Sequence, residues 1–247
     1  MDLFGSIINT PTPSAPKGII YGPPGIGKTT FGARARGSII VDCENGAGAI
    51  RCNRTPYLSS WGEISQWLTA LEREEHPYQT VAIDSIDWLL RRIEEAVSGS
   101  AAGRLDQTLA RSHGGYGNGK QVLRNYVYQM LLPQLDRIVA CGIAVILLAH
   151  AQRREITDVD GVTTTKTTAE LPEGYLTVFV EWADFVCLAR MGADNQRVVV
   201  TQEPPAALAK NRYGMPETIP FSWPSFVTAM SEGLSHQFPP AQEIPQK

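Results

Sequence analysis

The sequence is short of several things, and each shortage excludes something. No apolar run approaches the roughly 20 residues that a membrane span needs; the longest strongly apolar stretch, Ile143–Ala149, is far shorter. The four cysteines, Cys43, Cys52, Cys141 and Cys187, contain no CxxC pair, so neither a zinc site nor a dithiol redox motif is indicated. Cys141 and Cys187 flank or sit in apolar runs and are expected as small core residues. The opening MDLFGSIINTPTPSAP lacks a basic region followed by an apolar one, so no secretory signal is expected, and a reducing, cytoplasmic setting fits. An excess of either charge is also missing. Lysine plus arginine number 22 against 25 acidic residues, a net charge of −3, which argues against a protein that coats polyphosphate along its whole surface. A local basic patch remains compatible with that balance.

What is present is ordinary globular material. Of 247 residues, 43% are hydrophobic and 19% charged, enough for one large or two small domains with a substantial core. Residues 1–16 hold three prolines and no amphipathic period and read as an arm whose Leu3, Phe4, Ile7 and Ile8 suit docking on a neighbouring subunit. Residues 231–247 read as a disordered tail, rich in proline at its end, and residues 17–230 as the folded domain. No internal repeat is visible.

Within that domain short apolar runs alternate with helical patterns. Lys17–Tyr21, Ser38–Asp42, Thr80–Asp84, Ile143–His150, Phe185–Arg190, Val198–Thr201 and Glu217–Trp223 read as strands. Ser60 and Glu63 have capping-box spacing ahead of Ile64, Trp67, Leu68 and Leu71 at helical period. A helix is predicted from Ser85 to Val97, and a long one from Gln121 to Ala140 with a kink at Pro133. Strands apolar on both faces and separated by helices predict an α/β fold, a mostly parallel sheet covered on both sides. Two stretches break the order. Ser98–Lys120 holds six glycines and Gln152–Gly174 six threonines, and both are expected to be long irregular loops.

One motif carries chemistry with high specificity. Gly22, Pro23, Pro24, Gly25, Ile26, Gly27, Lys28 and Thr29 satisfy G-x-x-x-x-G-K-[ST] directly after a predicted strand, with Thr30 continuing into a helix. Glycines let backbone amides turn inward around phosphate oxygens, the lysine adds a point charge at the β and γ phosphates, and the threonine hydroxyl faces Mg²⁺. Average residue frequencies give this pattern by accident in roughly one in a hundred chains of this length, before the preceding strand is counted. Such a loop predicts ATP with Mg²⁺. It also needs an acid at a neighbouring strand end, and Asp84 is the candidate, with an ordinary helix N-cap as the alternative. Asp87, one turn on, is either a supporting group or a helix N-terminal charge.

In many AAA+ ATPases a glutamate follows that aspartate and activates water; here the residue is Ser85. A carboxylate at the tip of the strand after the P-loop helix is another source of a base, and that tip reads Asp42-Cys43-Glu44-Asn45-Gly46. With the P-loop, D-x-E at Asp42–Glu44, Asp84–Ser85, a polar residue (His150) ending a later apolar strand, and Lys210-Asn211-Arg212, the chain resembles RecA-like ATPases over about residues 17–223. Its size, its loop and its D-x-E-N-G tip look most similar to phage-encoded RecA-like recombinases and single-strand annealing ATPases. The resemblance implies Glu44 as catalytic base, the alternative being a group that only caps the loop. It implies His150 as γ-phosphate sensor, with Gln152 an alternative on the same strand face. It implies Lys210 and Arg212 as cations reaching the ATP site of a neighbouring subunit, the alternative being a solvated hairpin.

The same resemblance places two DNA-facing loops where the two irregular stretches fall. The first carries Arg104, Arg111, His113, Tyr116, Lys120 and Arg124; the second begins Gln152-Arg153-Arg154 and carries Lys166. Cations of this kind neutralise phosphates and a tyrosine stacks on a base; two solvated loops are the plainer alternative. The expectation is therefore a DNA-stimulated ATPase acting on single-stranded DNA in recombination or annealing. It would assemble as a ring or filament, with a single-strand-binding protein as a further partner. A nucleoside-monophosphate-type kinase, which wants an arginine-rich lid, and a nucleotide-switched scaffold with slow turnover are the other two readings.

Overall fold

The computed structural model describes residues 14–100, 108–157, 160–172 and 174–237. A parallel set of strands forms its centre: β1 (Lys17–Gly22), β2 (Ser38–Asp42), β3 (Thr80–Asp84), β4 (Ala144–Thr157) and β6 (Phe185–Met191). The order across the sheet is β2-β3-β4-β1-β6, continued by antiparallel β7 (Arg197–Val200) and β9 (Thr218–Pro220). Strand β4 therefore separates β1 from β3, and all five parallel strands end on the same edge. Two strands lie off this path, β5 (Thr163–Ala169) on β4 and β8 (Lys210–Asn211) on β6. The helices are α1 (Lys28–Ala33), α2 (Trp61–Arg73), α3 (Ile86–Ser98), α4 (Asn118–Tyr126), α5 (Leu132–Ala140), α6 (Leu176–Trp182) and α7 (Trp223–Gln237).

The pleat explains why the central strands read as unbroken apolar runs. Successive side chains point to opposite faces, and both faces are covered. Ile19, Tyr21, Val41, Ile83 and Leu147 pack with α2, α3, α5 and α6 on one side. Ile20, Ile40, Ala82, Ile146 and Cys187 pack with α1 and α7 on the other. Helix α1 lies close on its face because Gly32 has no side chain; a Cβ there would come within 2.9 Å of Ala82 Cβ. The capping box forms as predicted. Ser60 Oγ accepts the Glu63 amide, and Glu63 accepts the Ser60 amide, an arrangement that contributes about 1 kcal/mol. Ile64, Leu68 and Leu71 are buried behind it and Trp67 packs at the edge.

Several expectations change. Gln152–Gly174 is not an irregular loop, because β4 runs on to Thr157 and pairs antiparallel with β5. Its threonines are β-branched and suit a pleated ribbon, which composition alone disguised as a loop. The long helix starts at Asn118 and is interrupted by a π-helical turn at Val127–Leu131, just before Pro133, which has no N–H to give the Gln129 carbonyl. Residues 231–237 are helical rather than part of a tail, since α7 continues to Gln237. Ser222 Oγ accepts the Ser225 amide at its start, and Phe226, Ala229 and Gly233 turn inward at i, i+3 and i+7. Phe226 is 1% exposed, meets Phe31 and Phe185 edge-on and stacks on Trp223. Its burial contributes about 2–3 kcal/mol, enough to hold the helix down. Cys187 is a core residue as expected, but Cys141 follows the last turn of α5 and is exposed. Helix α6, unassigned from sequence, buries Val178 and Phe179 in the same core cluster as Val186 and Leu188 of β6. Residues 1–13 and 238–247, and Arg104, lie outside the described residues. Among the described residues no helix is long and apolar enough to cross a membrane.

Candidate active site

The P-loop leaves the end of β1 and turns with φ of 76° at Gly25 and 107° at Gly27, a left-handed conformation that favours glycine. This brings Lys28 to the start of α1 with only 7% of its surface exposed. Its ammonium donates to the carbonyls of Gly22 at 2.9 Å and Pro23 at 3.2 Å, so the charge sits on the loop's own oxygens. Burial pushes the Lys28 pKa below its usual value, against the pull of Asp84, Glu44 and Asp87. Beside it Thr29 Oγ1 donates to Asp84 Oδ2 at 2.7 Å. Asp84 is 3% exposed at the end of β3, and burial raises its pKa to about 6, with the Thr29 hydrogen bond opposing and Glu44 and Asp42 adding to the rise. A hydroxyl and a buried carboxylate in contact are hard oxygen donors of the kind Mg²⁺ takes.

The D-x-E tip divides its labour. Asp42 is buried and its Oδ1 accepts the Asn45 amide at 2.7 Å, which closes a turn whose Asn45 has φ 64°. Glu44 faces the cavity. Its Oε1 lies 3.4 Å from His150 Nε2, and His150 Nδ1 lies 2.9 Å from Asp87 Oδ2. His150 is thus held between two carboxylates. The Asp87 and Glu44 hydrogen bonds raise its pKa to about 10, against burial, so the imidazole is charged at neutral pH. The same contact keeps the Glu44 carboxyl below its usual range.

A raised histidine pKa has a sign for stability. The contribution is fully present below about pH 6.5 and is lost as pH rises toward about 10. In metal-free protein the wild type is therefore expected to lose its stability advantage over His150→Gln between those limits. Urea-unfolding midpoints at pH 6.5, 8 and 9.5 check this, and comparing the two chains cancels the buried tyrosines and cysteines they share. A constant difference across the range would show that His150 is not held as an imidazolium.

These side chains enclose one cavity of about 300 Å³, lined by Pro24, Gly25, Gly27, Lys28, Thr29, Thr30, Glu44, Gly46, Ile50, Asp84 and His150. A family model described as an AAA domain matches residues 14–213. The chain belongs to the AAA-domain family. This places it among P-loop AAA-type ATPases. The match runs from before β1 to just past β8, so β9 and α7 lie beyond it. In this AAA-domain protein Ser85 stands after the strand-end aspartate, and the second carboxylate lining the cavity is Glu44, from the tip of β2.

The remaining sequence-predicted residues divide into three groups. His150 lines the cavity while Gln152 turns away, its amide donating to the Ala169 carbonyl at 3.2 Å. Lys210 and Arg212 are not near their own P-loop. Strand β8 pairs with the opening residues of β6, at the opposite end of the sheet. Lys210 donates to the Val180 and Glu181 carbonyls at the end of α6, and Arg212 pairs with Asp184 at 3.2 Å while its side chain stays 56% exposed. Among the candidate DNA contacts, Arg111, Tyr116, Lys120 and Arg153 are exposed, with no side-chain partner among the described residues. Arg154 instead donates to the Leu171 carbonyl at 2.7 Å and Lys166 pairs with Glu203, so these two brace the hairpin.

Sequence reasoning missed Arg197 at the start of β7. Its Nη1 lies 3.2 Å from the point that a Cβ on Gly27 would occupy. No local pattern marks it, because the contact spans 170 residues of chain and depends on the sheet order.

Proposed function

We propose that this AAA-domain protein binds and hydrolyses Mg²⁺-ATP as a RecA-like ATPase acting on single-stranded DNA in recombination or annealing. The observation that carries the nucleotide part is one cavity that gathers Lys28, Thr29, Asp84, Glu44 and His150. The Lys28 ammonium exchanges its loop carbonyls for the β and γ phosphate oxygens. Thr29 and Asp84 would hold Mg²⁺, which would supply positive charge against the phosphates. Glu44 accepts a hydrogen bond from the attacking water and aligns it with the γ phosphorus. The His150 imidazolium, a fixed positive charge at the far wall, attracts the charge that develops on the γ phosphate.

The DNA part rests on exposed, unpartnered groups in the two regions that the RecA resemblance assigns to DNA. Arg111, Tyr116 and Lys120 lie ahead of and within the start of α4, and Arg153 lies on the outward face of the β4–β5 hairpin. In this reading Lys210 and Arg212 serve the neighbouring subunit's ATP site in a cytoplasmic ring or filament. The segment 1–16 docks between subunits, and a single-strand-binding protein supplies the DNA. A kinase lid fits less well, since the segment that would form it is a hairpin with Arg154 tied to backbone.

The test is steady-state ATP hydrolysis with and without single-stranded DNA. Stimulation of about tenfold or more is expected, with most of it lost in an Arg111→Ala, Tyr116→Ala, Arg153→Ala triple variant. Turnover indifferent to DNA in the wild type would overturn the DNA reading and leave the ATPase standing.

A further inference from the structure

The sheet order gives the nucleotide site a direction. Asp84, Glu44 and His150 all lie on the β3–β4 side of β1, while β6 and β7 lie on the other side of the same P-loop. A triphosphate whose terminal phosphates sit against Lys28, Thr29 and Asp84 must extend its sugar and base away from that cluster. The cavity described above offers them little, because its lining holds no Phe, Tyr or Trp, its His150 ring is clasped by Asp87 and Glu44, and Pro24 and Ile50 are its only sizeable apolar groups.

Across Gly27, on the β7 side, two suitable groups converge. Arg197 Nη1 lies 3.2 Å, and an edge carbon of Phe221 3.9 Å, from the position of a Gly27 Cβ. The two residues are joined by backbone, the Phe221 amide donating to the Arg197 carbonyl at 2.9 Å. Phe221 is held in place on one face by Phe31, with ring centroids 4.8 Å apart and planes 17° from parallel. It remains half-buried, whereas Arg197 is exposed and its guanidinium has no hydrogen-bond or ion-pair partner among the described residues. A free guanidinium beside a braced aromatic ring is a surface that takes a flat heterocycle, by stacking and by cation–π attraction.

We propose that Arg197 and Phe221 form the base-and-sugar subsite of the nucleotide site, contributed by the same subunit as the P-loop. This rests on the ATP reading above and adds the residues that hold the non-phosphate end of the molecule. The subsite contributes to affinity and touches none of the reacting atoms, so its loss falls on KM for ATP rather than on kcat.

The experiment compares two probes by calorimetry in the presence of Mg²⁺: ATP, and inorganic tripolyphosphate, which lacks base and sugar. The proteins are the full-length wild type, Arg197→Ala, and Phe221→Leu, which keeps an apolar contact to Phe31. The expected result is an ATP Kd raised about tenfold in each variant, a tripolyphosphate Kd unchanged, and a matching rise in KM. Equal weakening of both probes would overturn the proposal and make Arg197 a phosphate ligand or a support of the loop. An unchanged ATP Kd in both variants would overturn it outright. A wild type that binds neither probe would sink the nucleotide reading itself, an outcome distinct from the other two.

Discussion

Replacing Lys28 with alanine is expected to abolish measurable ATP turnover and to weaken ATP binding at least a hundredfold, without unfolding the protein. The side chain supplies the one lysine charge inside the cavity, and it is pre-positioned by two loop carbonyls rather than by an acidic partner. Removing one donor aimed at transferring phosphate costs about 10²–10³ in rate, and the lost ground-state contact adds a binding penalty. Stability should barely change. The buried ammonium carries a desolvation cost, visible in its lowered pKa, that the alanine variant no longer bears. Truncating Lys28, which lines the cavity, opens room beside the carbonyls of Gly22 and Pro23 that water can enter. Calorimetric titration, phosphate release and a thermal melt measured together separate these effects. A variant that hydrolyses ATP at the wild-type rate would remove Lys28 from the mechanism.

Glu44→Gln is expected to separate binding from turnover. Glutamine keeps the size and a hydrogen-bonding oxygen, so ATP affinity should stay within a few-fold. It has no negative charge with which to polarise a water, and general-base assistance is worth about 10²–10⁴ in rate. His150 loses one of its two carboxylate partners but keeps Asp87 at 2.9 Å, so the far wall of the cavity stays in place. The expected signature is a variant that retains ATP over many wild-type turnovers, read by filter binding alongside phosphate release. Wild-type turnover in this variant would mean that Glu44 only shapes the end of β2. Together the two variants order the steps, since the first loses both affinity and hydrolysis and the second loses hydrolysis alone.

The parts of this molecule that were legible in its sequence are those fixed by short-range patterns. The P-loop, its preceding strand and the acid ending β3 are each set by a few adjacent residues whose chemistry has few alternatives. The buried strands were legible because coverage on both faces leaves an unbroken apolar run. The β4–β5 hairpin was not, because its threonines and charges satisfy loop composition as well as strand alternation. Only pairing across the ribbon distinguishes the two. The helical span to Gln237 was obscured by the prolines beyond it, although Ser222 and the spacing of Phe226, Ala229 and Gly233 carried the signal. The clasp of His150 by Asp87 and Glu44, and the approach of Arg197 to Gly27, depend on which strands become neighbours. No window of sequence contains that information.

His150 stands at the wall of the phosphate cavity, and Arg153, three residues later, stands on the outer face of the hairpin. At about 3.3 Å per residue the two are separated by roughly 10 Å of extended backbone, with no intervening loop to absorb a displacement. The root of the ribbon is also tethered to the P-loop strand, because the single proton of the buried Tyr21 hydroxyl is shared between the carbonyls of Leu208 at 2.6 Å and Thr167 at 3.0 Å. Under the proposed function, a single stiff rod would join the end that meets the γ phosphate to the end offered to a polynucleotide. Such a connection works equally in both directions. Whatever factor a bound strand applies to the affinity for ATP, ATP must return to the affinity for that strand.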